Sequence, residues 1–164
     1  MSYQRLCRNS EATIEAGKSF ASLLRPGDIV VLTGRLGAGK TTFVQGVAQG
    51  LGVSERVTSP TFTLLRQHEA HNERGIRTLL HADVYRIERV AEARDLDLGE
   101  LVEESAVAMV EWGELAGDVF GRDTISVEFV LDEDSYETSE ARVLRVTGTI
   151  DAERTHILKQ WSSE

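Results

Sequence analysis

Ile29-Val30-Val31-Leu32-Thr33-Gly34-Arg35-Leu36-Gly37-Ala38-Gly39-Lys40-Thr41-Thr42-Phe43 is the stretch from which the fold can be read. It opens on a short unbroken apolar run, Ile29 to Leu32, the pattern of a strand buried on both faces. A glycine-rich loop follows, and Phe43, Val44, Val47 and Leu51 then recur at helical spacing. Gly50 and Gly52 read as stop signals for that helix. The segment Gly34 to Thr41 fits G-x-x-x-x-G-K-[ST]. Three glycines let the backbone curl so that successive N–H groups point at phosphate oxygens. The helix that follows aims its N-terminal dipole at the same anion. Lys40 sets a cation against the β- and γ-phosphates, and the Thr41 hydroxyl can ligate Mg²⁺. The expected nucleotide contacts are therefore Gly34, Leu36, Gly37, Ala38, Gly39, Lys40, Thr41 and Thr42, and the expected ligand is ATP with Mg²⁺. A glycine-rich turn without a ligand is the bland reading. Against it stand the strand before the loop, the helix after it, and a lysine at the motif position in a chain with three.

Such a loop needs a carboxylate from the end of a neighbouring strand to hold Mg²⁺ or its water. Asp83, after the β-prone Thr78 to Ala82, and Glu111, after the apolar Ala106 to Val110, are the two candidates. Glu111 is expected nearer the metal, with Thr41, and Asp83 is expected to orient water or Thr41. Lys40, Asp83 and Glu111 are the catalytic candidates. A bystander carboxylate at a strand end is common, but two such residues are harder to dismiss. His81 and Asp83 share a strand face, so a hydrogen bond between them is expected. Thr58-Ser59-Pro60-Thr61-Phe62-Thr63 sets four hydroxyls around a proline, as a generic loop or as a switch that senses the γ-phosphate. Trp112 reads as rim packing, or otherwise as a lid. His68 and His71 lack the further ligands that a zinc site requires.

Outward from this centre, Ser10 is expected to cap a helix carrying Ala16, Phe20, Leu23 and Leu24 on one face, closed by the turn Arg25-Pro26-Gly27-Asp28. Thr61 to His68 and Ile76 to Asp83 read as a hairpin around the polar Asn72 to Gly75. Ile87 to about Glu104 reads as acidic and mostly helical. Ile125, Val127 and Phe129 alternate with polar residues as in a strand with one wet face. Asp132 to Glu140 reads as an acidic loop, Val143 to Val146 as a last strand, and Asp151 to Trp161 as a weak helix. The result is one α/β domain over residues 1–164, P-loop NTPase-like, with a mixed central sheet flanked by helices.

Composition narrows the function. At 41% apolar and 27% charged residues, the chain suits a globular domain with a core. A formal net charge of −9 argues against direct grip on a nucleic-acid backbone, which needs a basic face. The single cysteine, Cys7, forbids an intrachain disulfide and fits a reducing compartment. No signal-peptide core and no membrane span can be read, so a cytoplasmic protein is expected.

Four motifs in order, Leu36-Gly37-Ala38-Gly39-Lys40-Thr41-Thr42-Phe43, Ser59-Pro60-Thr61-Phe62, His81-Ala82-Asp83-Val84-Tyr85-Arg86 and Val110-Glu111-Trp112, resemble the signature of the TsaE family. The resemblance covers roughly Ser10 to Val146, and the ordered set is far more specific than the phosphate loop alone. It implies a small bacterial ATPase, weakly active alone, needed to make N6-threonylcarbamoyladenosine in tRNA. It implies action with TsaB and TsaD, with TsaC upstream supplying the threonylcarbamoyl adenylate; the net charge of −9, not the resemblance, leads us to expect contact with tRNA only indirectly. The family's Mg²⁺ and hydrolysis residues match Thr41, Asp83 and Glu111, and its adenine-side contacts fall near Glu11 and Arg142. Ala82 and Val84 depart slightly from the usual residues. Two other classes stay open beside this one: a small-molecule kinase, for whose arginine-rich lid Arg86, Arg89 and Arg94 could be mistaken, and a nucleotide-gated binding module without turnover. A GTPase is disfavoured by the lack of an N-K-x-D segment.

Overall fold

The computed structural model describes residues 1–60, 65–83, 98–102, 104–111, 123–131 and 140–164. The expected helix over Ile87 to Glu104 lies mostly outside these residues, as do nearly all of the acidic loop, Trp112 and the arginines Arg86, Arg89 and Arg94. The described elements run β1 (Tyr3–Cys7), α1 (Ser10–Phe20), β2 (Ile29–Thr33), α2 (Lys40–Gly50), β3 (Leu65–Glu69), β4 (Thr78–Asp83), a helical turn α3 (Leu98–Leu101), β5 (Ala106–Glu111), β6 (Ile125–Leu131), β7 (Arg142–Gly148) and α4 (Ala152–Trp161). Their strands form one mixed sheet in the order β1-β7-β6-β2-β5-β4-β3. The centre is parallel: β2 pairs with β6 on one side and β5 on the other, and β5 pairs with β4. The flanks are antiparallel, with β6 to β7, β7 to β1, and β3 to β4 in the expected hairpin. The sequence is thus an α/β fold of the expected class.

Strand parity divides the core. Val30, Leu32, Leu79, Val107 and Met109 pack with α1 and α2 on one face. Ile29, Val31, Leu80, Ala82, Ala106, Ala108 and Val110 pack together on the other. An aromatic run crosses the first face: Phe129 lies 5.7 Å from Phe43, Phe43 lies 5.3 Å from Phe20, and Phe20 lies 5.9 Å from Trp161. Each tilted or edge contact contributes about 0.5–1.5 kcal/mol beyond area burial. Trp161 also donates its indole N–H to the Ala16 carbonyl at 2.9 Å, which docks α4 on α1.

Helices α1 and α2 cross with almost no side chain between them. A Cβ on Gly46 would sit 2.1 Å from the Ile14 carbonyl oxygen, and one on Gly17 would sit 2.2 Å from that of Phe43. Gly50 also belongs to this crossing. It is the last residue of α2, at the expected stop, and it also lies against Lys18 and Ala21, packing the crossing. Gly52 also fills its expected stop position, with φ of 76° just past the helix end. The cap of α1 is Asn9, whose side chain accepts from the Ala12 N–H at 2.8 Å, one residue before the expected Ser10. Strand β1 was not expected at all. Tyr3 and Cys7 turn into the core while Gln4 and Leu6 turn away, and five residues of that pattern between polar neighbours give a faint signal.

Candidate functional site

The same parity builds the site. On β4, Leu79, His81 and Asp83 share one face, and on β5, Val107, Met109 and Glu111 do. Both rows begin apolar beneath α2 and turn polar at the carboxyl ends of the strands. Asp83 and Glu111 are register partners, and Glu111 is also partnered by Leu32 of β2. The two carboxylate residues therefore stand side by side at the strand end from which the glycine loop departs. In an open parallel sheet this is the edge where ligands bind.

The loop is held by special backbone. Gly34, Gly37 and Gly39 have φ of 144°, 77° and 101°, which favours glycine at all three. At Gly34 a side chain would also strike Phe129, whose Cβ would be 2.9 Å away, so the start of the loop rests on β6. Gly39 is the N-terminal cap of α2. Ala38 is buried under the loop, whereas Leu36 at its tip is 88% exposed. Lys40 folds back across the curl, donating from Nζ to the Gly34 carbonyl at 2.8 Å and to that of Arg35 at 3.0 Å. Its ammonium thus sits over the opening of the loop, where a phosphate oxygen would meet it. Thr42, next in α2, is half-buried.

Thr41 and Glu111 meet directly. The Thr41 hydroxyl donates to Glu111 Oε1 at 2.7 Å. Glu111 is only 6% exposed, and the same oxygen lies 2.9 Å from His81 Nε2. This corrects the expected pairing of His81 with Asp83: the ring reaches across to β5, and its buried Nδ1 has no partner among the described residues. The Thr41 hydroxyl and the Glu111 carboxylate are hard oxygen donors at one point, the donor type that suits Mg²⁺ and not a thiolate- or imidazole-seeking metal. Asp83 beside them is half-buried.

The other flank of the loop is formed by β1, α1 and β7. Arg142, at the start of β7, brings its Nε to 3.0 Å from where a Cβ on Gly39 would lie, and Thr13 of α1 approaches the same point. Arg142 also donates to the Glu140 carbonyl at 2.7 Å. Its register partner is Cys7. Burial pushes the Cys7 thiol up from its usual value, against the opposing pull of Arg5, Thr13 and Arg142. It is a packed thiol and not a reactive one. Glu11 lies exposed in the first turn of α1, two residues from Thr13. Arg142 therefore lies against the loop at Gly39.

Of the Thr58 to Thr63 segment, Thr58, Ser59 and Pro60 are described. Gln45 of α2 donates to the Val57 carbonyl at 2.9 Å, and Arg66 of β3 donates to the Thr58 hydroxyl at 3.2 Å. The remaining residues of that segment lie outside the described ones. His68 is buried on β3 and pairs through Nδ1 with Glu55 Oε1 at 2.6 Å, while His71 is exposed. No helix among the described residues is long and apolar enough to cross a membrane.

Comparison with known proteins gives a consistent relation. The family described as threonylcarbamoyl adenosine biosynthesis protein TsaE matches residues 7–143. The chain is 40% identical over 119 residues to the tRNA threonylcarbamoyladenosine biosynthesis protein TsaE of Bacillus subtilis, spanning 73% of this chain and 72% of that one. It is 40% identical over 120 residues to the protein of the same name from Treponema pallidum, spanning 73% and 85%. The crystal structure of Bacillus subtilis YdiB superposes with a TM-score of 0.70 at 25% identity, over 99% of this chain and 95% of that one.

Proposed function

Because the chain belongs to the TsaE family, we propose that it is a Mg²⁺-dependent ATPase serving N6-threonylcarbamoyladenosine biosynthesis in tRNA, acting with TsaB and TsaD and downstream of TsaC. The observation that carries this reading is the 2.7 Å bond from Thr41 of the loop to Glu111 at the end of the adjacent parallel strand. A loop that only made a turn would have no reason to bind a buried carboxylate.

In this reading the backbone N–H groups of residues 34 to 42 and the start of α2 grip the triphosphate, and Lys40 neutralises its β- and γ-oxygens. Thr41 and Glu111 would hold Mg²⁺, which when bound supplies charge neutralisation for transfer of the γ-phosphoryl group. Asp83 orients the water whose oxygen attacks the γ-phosphorus as the bond to the β-γ bridging oxygen breaks. Arg142 lies against the loop from the β7 side. The charge of −9 suits a protein that leaves the main tRNA contact to its partners. ATP then acts by favouring one conformation of the complex, which requires that the ATP and ADP forms bind the partner pair differently.

The test is phosphate release measured alone and with TsaB and TsaD, followed by tRNA modification over many turnovers with TsaB, TsaC and TsaD. Expected are slow release alone, faster release with the pair, and a multiple-turnover yield that depends on this chain. Unchanged yield without it, or phosphate passing to a small acceptor, would reject the proposal; the second result would favour a kinase.

A further inference from the structure

We propose that His81 is a positioning residue that fixes Glu111 for its work at the metal. The proposal rests on the reading of Thr41 and Glu111 as Mg²⁺ ligands. Three observations carry it. His81 has no exposed surface, and among the described residues its only hydrogen bond is the one to Glu111 Oε1 at 2.9 Å. A buried imidazole with an unpartnered Nδ1 is a poor choice for packing alone, since an apolar side chain such as that of Leu79, two residues earlier on the same face, would avoid the desolvation cost. Glu111 Oε1 takes both donors, Thr41 Oγ1 and His81 Nε2, so no described residue donates to Oε2.

The two donors are not equivalent. Thr41 sits on α2 at the mouth of the loop and must turn a lone pair toward a bound cation. His81 sits on the rigid parallel strand β4, buried and fixed by the sheet. A carboxylate oxygen can only accept, so Nε2 carries the ring hydrogen and the imidazole is a donor at that atom. Glutamate has three rotatable side-chain bonds, and a single donor from the sheet is what keeps its carboxylate in one place while Thr41 rearranges. Holding Oε1 from beneath leaves Oε2 as the oxygen offered to the cation. Partners of this kind around a metal ligand are worth roughly 10–100-fold in metal affinity or activity.

The test uses three variants of the full chain. Glutamine places an amide nitrogen near the position of Nε2, asparagine places one near Nδ1, and leucine removes both. With MgCl₂ titrated against fixed ATP, His81→Leu and His81→Asn should raise the half-saturating Mg²⁺ concentration by about 10–100-fold. His81→Gln should stay within about threefold, and ATP binding in EDTA should be unchanged in all three. In the protein without nucleotide or metal, the imidazole ¹⁵N spectrum should report His81 protonated at Nε2, and Glu111→Leu should shift that signal. Equal loss in the glutamine variant, or a ¹⁵N signal indifferent to Glu111, would reduce His81 to packing and overturn the proposal. Wild-type Mg²⁺ dependence in His81→Leu would also overturn it. Failure of the underlying reading looks different: wild-type nucleotide affinity would then not depend on Mg²⁺, and Glu111→Gln would leave the Mg²⁺ titration unmoved.

Discussion

Replacing Gly46 by alanine tests whether helix packing sets the geometry of the phosphate loop. The added Cβ would lie 2.1 Å from the Ile14 carbonyl oxygen, 2.9 Å from its carbon and 3.0 Å from the Cα. Ordinary contact begins at 3.4 Å, so the helices must part locally by about 1.3 Å. All three opposing atoms are backbone, and no rotamer change relieves them. Overpacking of this kind costs about 1–3 kcal/mol, and a backbone obstacle puts it near the upper end. Alanine in a helix interior recovers about 1 kcal/mol relative to glycine. The net expectation is a loss of about 2 kcal/mol, or roughly 4–8 °C in Tm for a domain of this size. Since α2 begins with Lys40 and Thr41, a shift of that order also strains the 2.7 Å bond to Glu111. Misplacement by about 1 Å can cost around 100-fold in a pre-organised site. Denaturant unfolding and calorimetric ATP titration give the two readouts, with Gln49→Ala, exposed on the same helix, as the control for helix propensity. A Gly46→Ala protein as stable as wild type and equally able to bind ATP would refute the claim that the crossing positions the loop.

Other expectations follow from single contacts. Lys40→Ala should keep its stability within about 0.5 kcal/mol, because the side chain lies over the loop and not in the core. By titration it should lose about 10–100-fold in ATP affinity, the worth of charge-assisted bonds to phosphate. Glu111→Ala and Asp83→Ala should depress partner-stimulated phosphate release more than ATP binding, because the grip comes from backbone N–H groups; full stimulated activity in both would end the assignment. For Arg142→Ala, ATP affinity should fall about tenfold, the lower end of one lost charge-assisted bond, with Tm unchanged. Acid should loosen α4. Asp151 is held below its usual value first by the Arg154 N–H it caps and next by Arg25. A depressed pKa means stability that is present above the ordinary carboxylate range and lost as pH falls through the lowered value. Fluorescence of Trp161 in a Trp112→Phe background should therefore change below about pH 4, and Asp151→Asn, which can still cap, should remove that leg.

How far the sequence speaks depends on whether a feature repeats. Strands β2 and β5 were legible because continuous apolar runs announce burial on both faces, and the loop because its glycine and lysine spacing matches a phosphate-binding motif. The crossing of α1 and α2 was not, since a glycine within a helix looks the same whether it ends the helix or admits another backbone; Gly50 was read the first way and does both. β1 is too short for its alternation to stand out. Asp83 and Glu111 could be picked out as strand ends, but nothing in the chain order says that β5 lies between β2 and β4. That adjacency makes Glu111, two residues past Met109, the partner of His81. A hydrogen bond within one strand was the only one sequence spacing could suggest.

For an acidic chain to bind a nucleotide as proposed, its favourable field must be local. The start of α2, Lys40 and Arg142 all lie at or beside Gly39, within a distance comparable to the screening length of about 8 Å at physiological salt. Charges farther away contribute little there, so a net charge of −9 does not oppose binding of a nucleotide small enough to lie inside that field. A tRNA backbone is different. It extends over many screening lengths and meets the whole surface, where acidic residues outnumber basic ones by 27 to 18. Under the proposed function, a triphosphate would be held at one concentrated point while the long polyanion would be left to another protein.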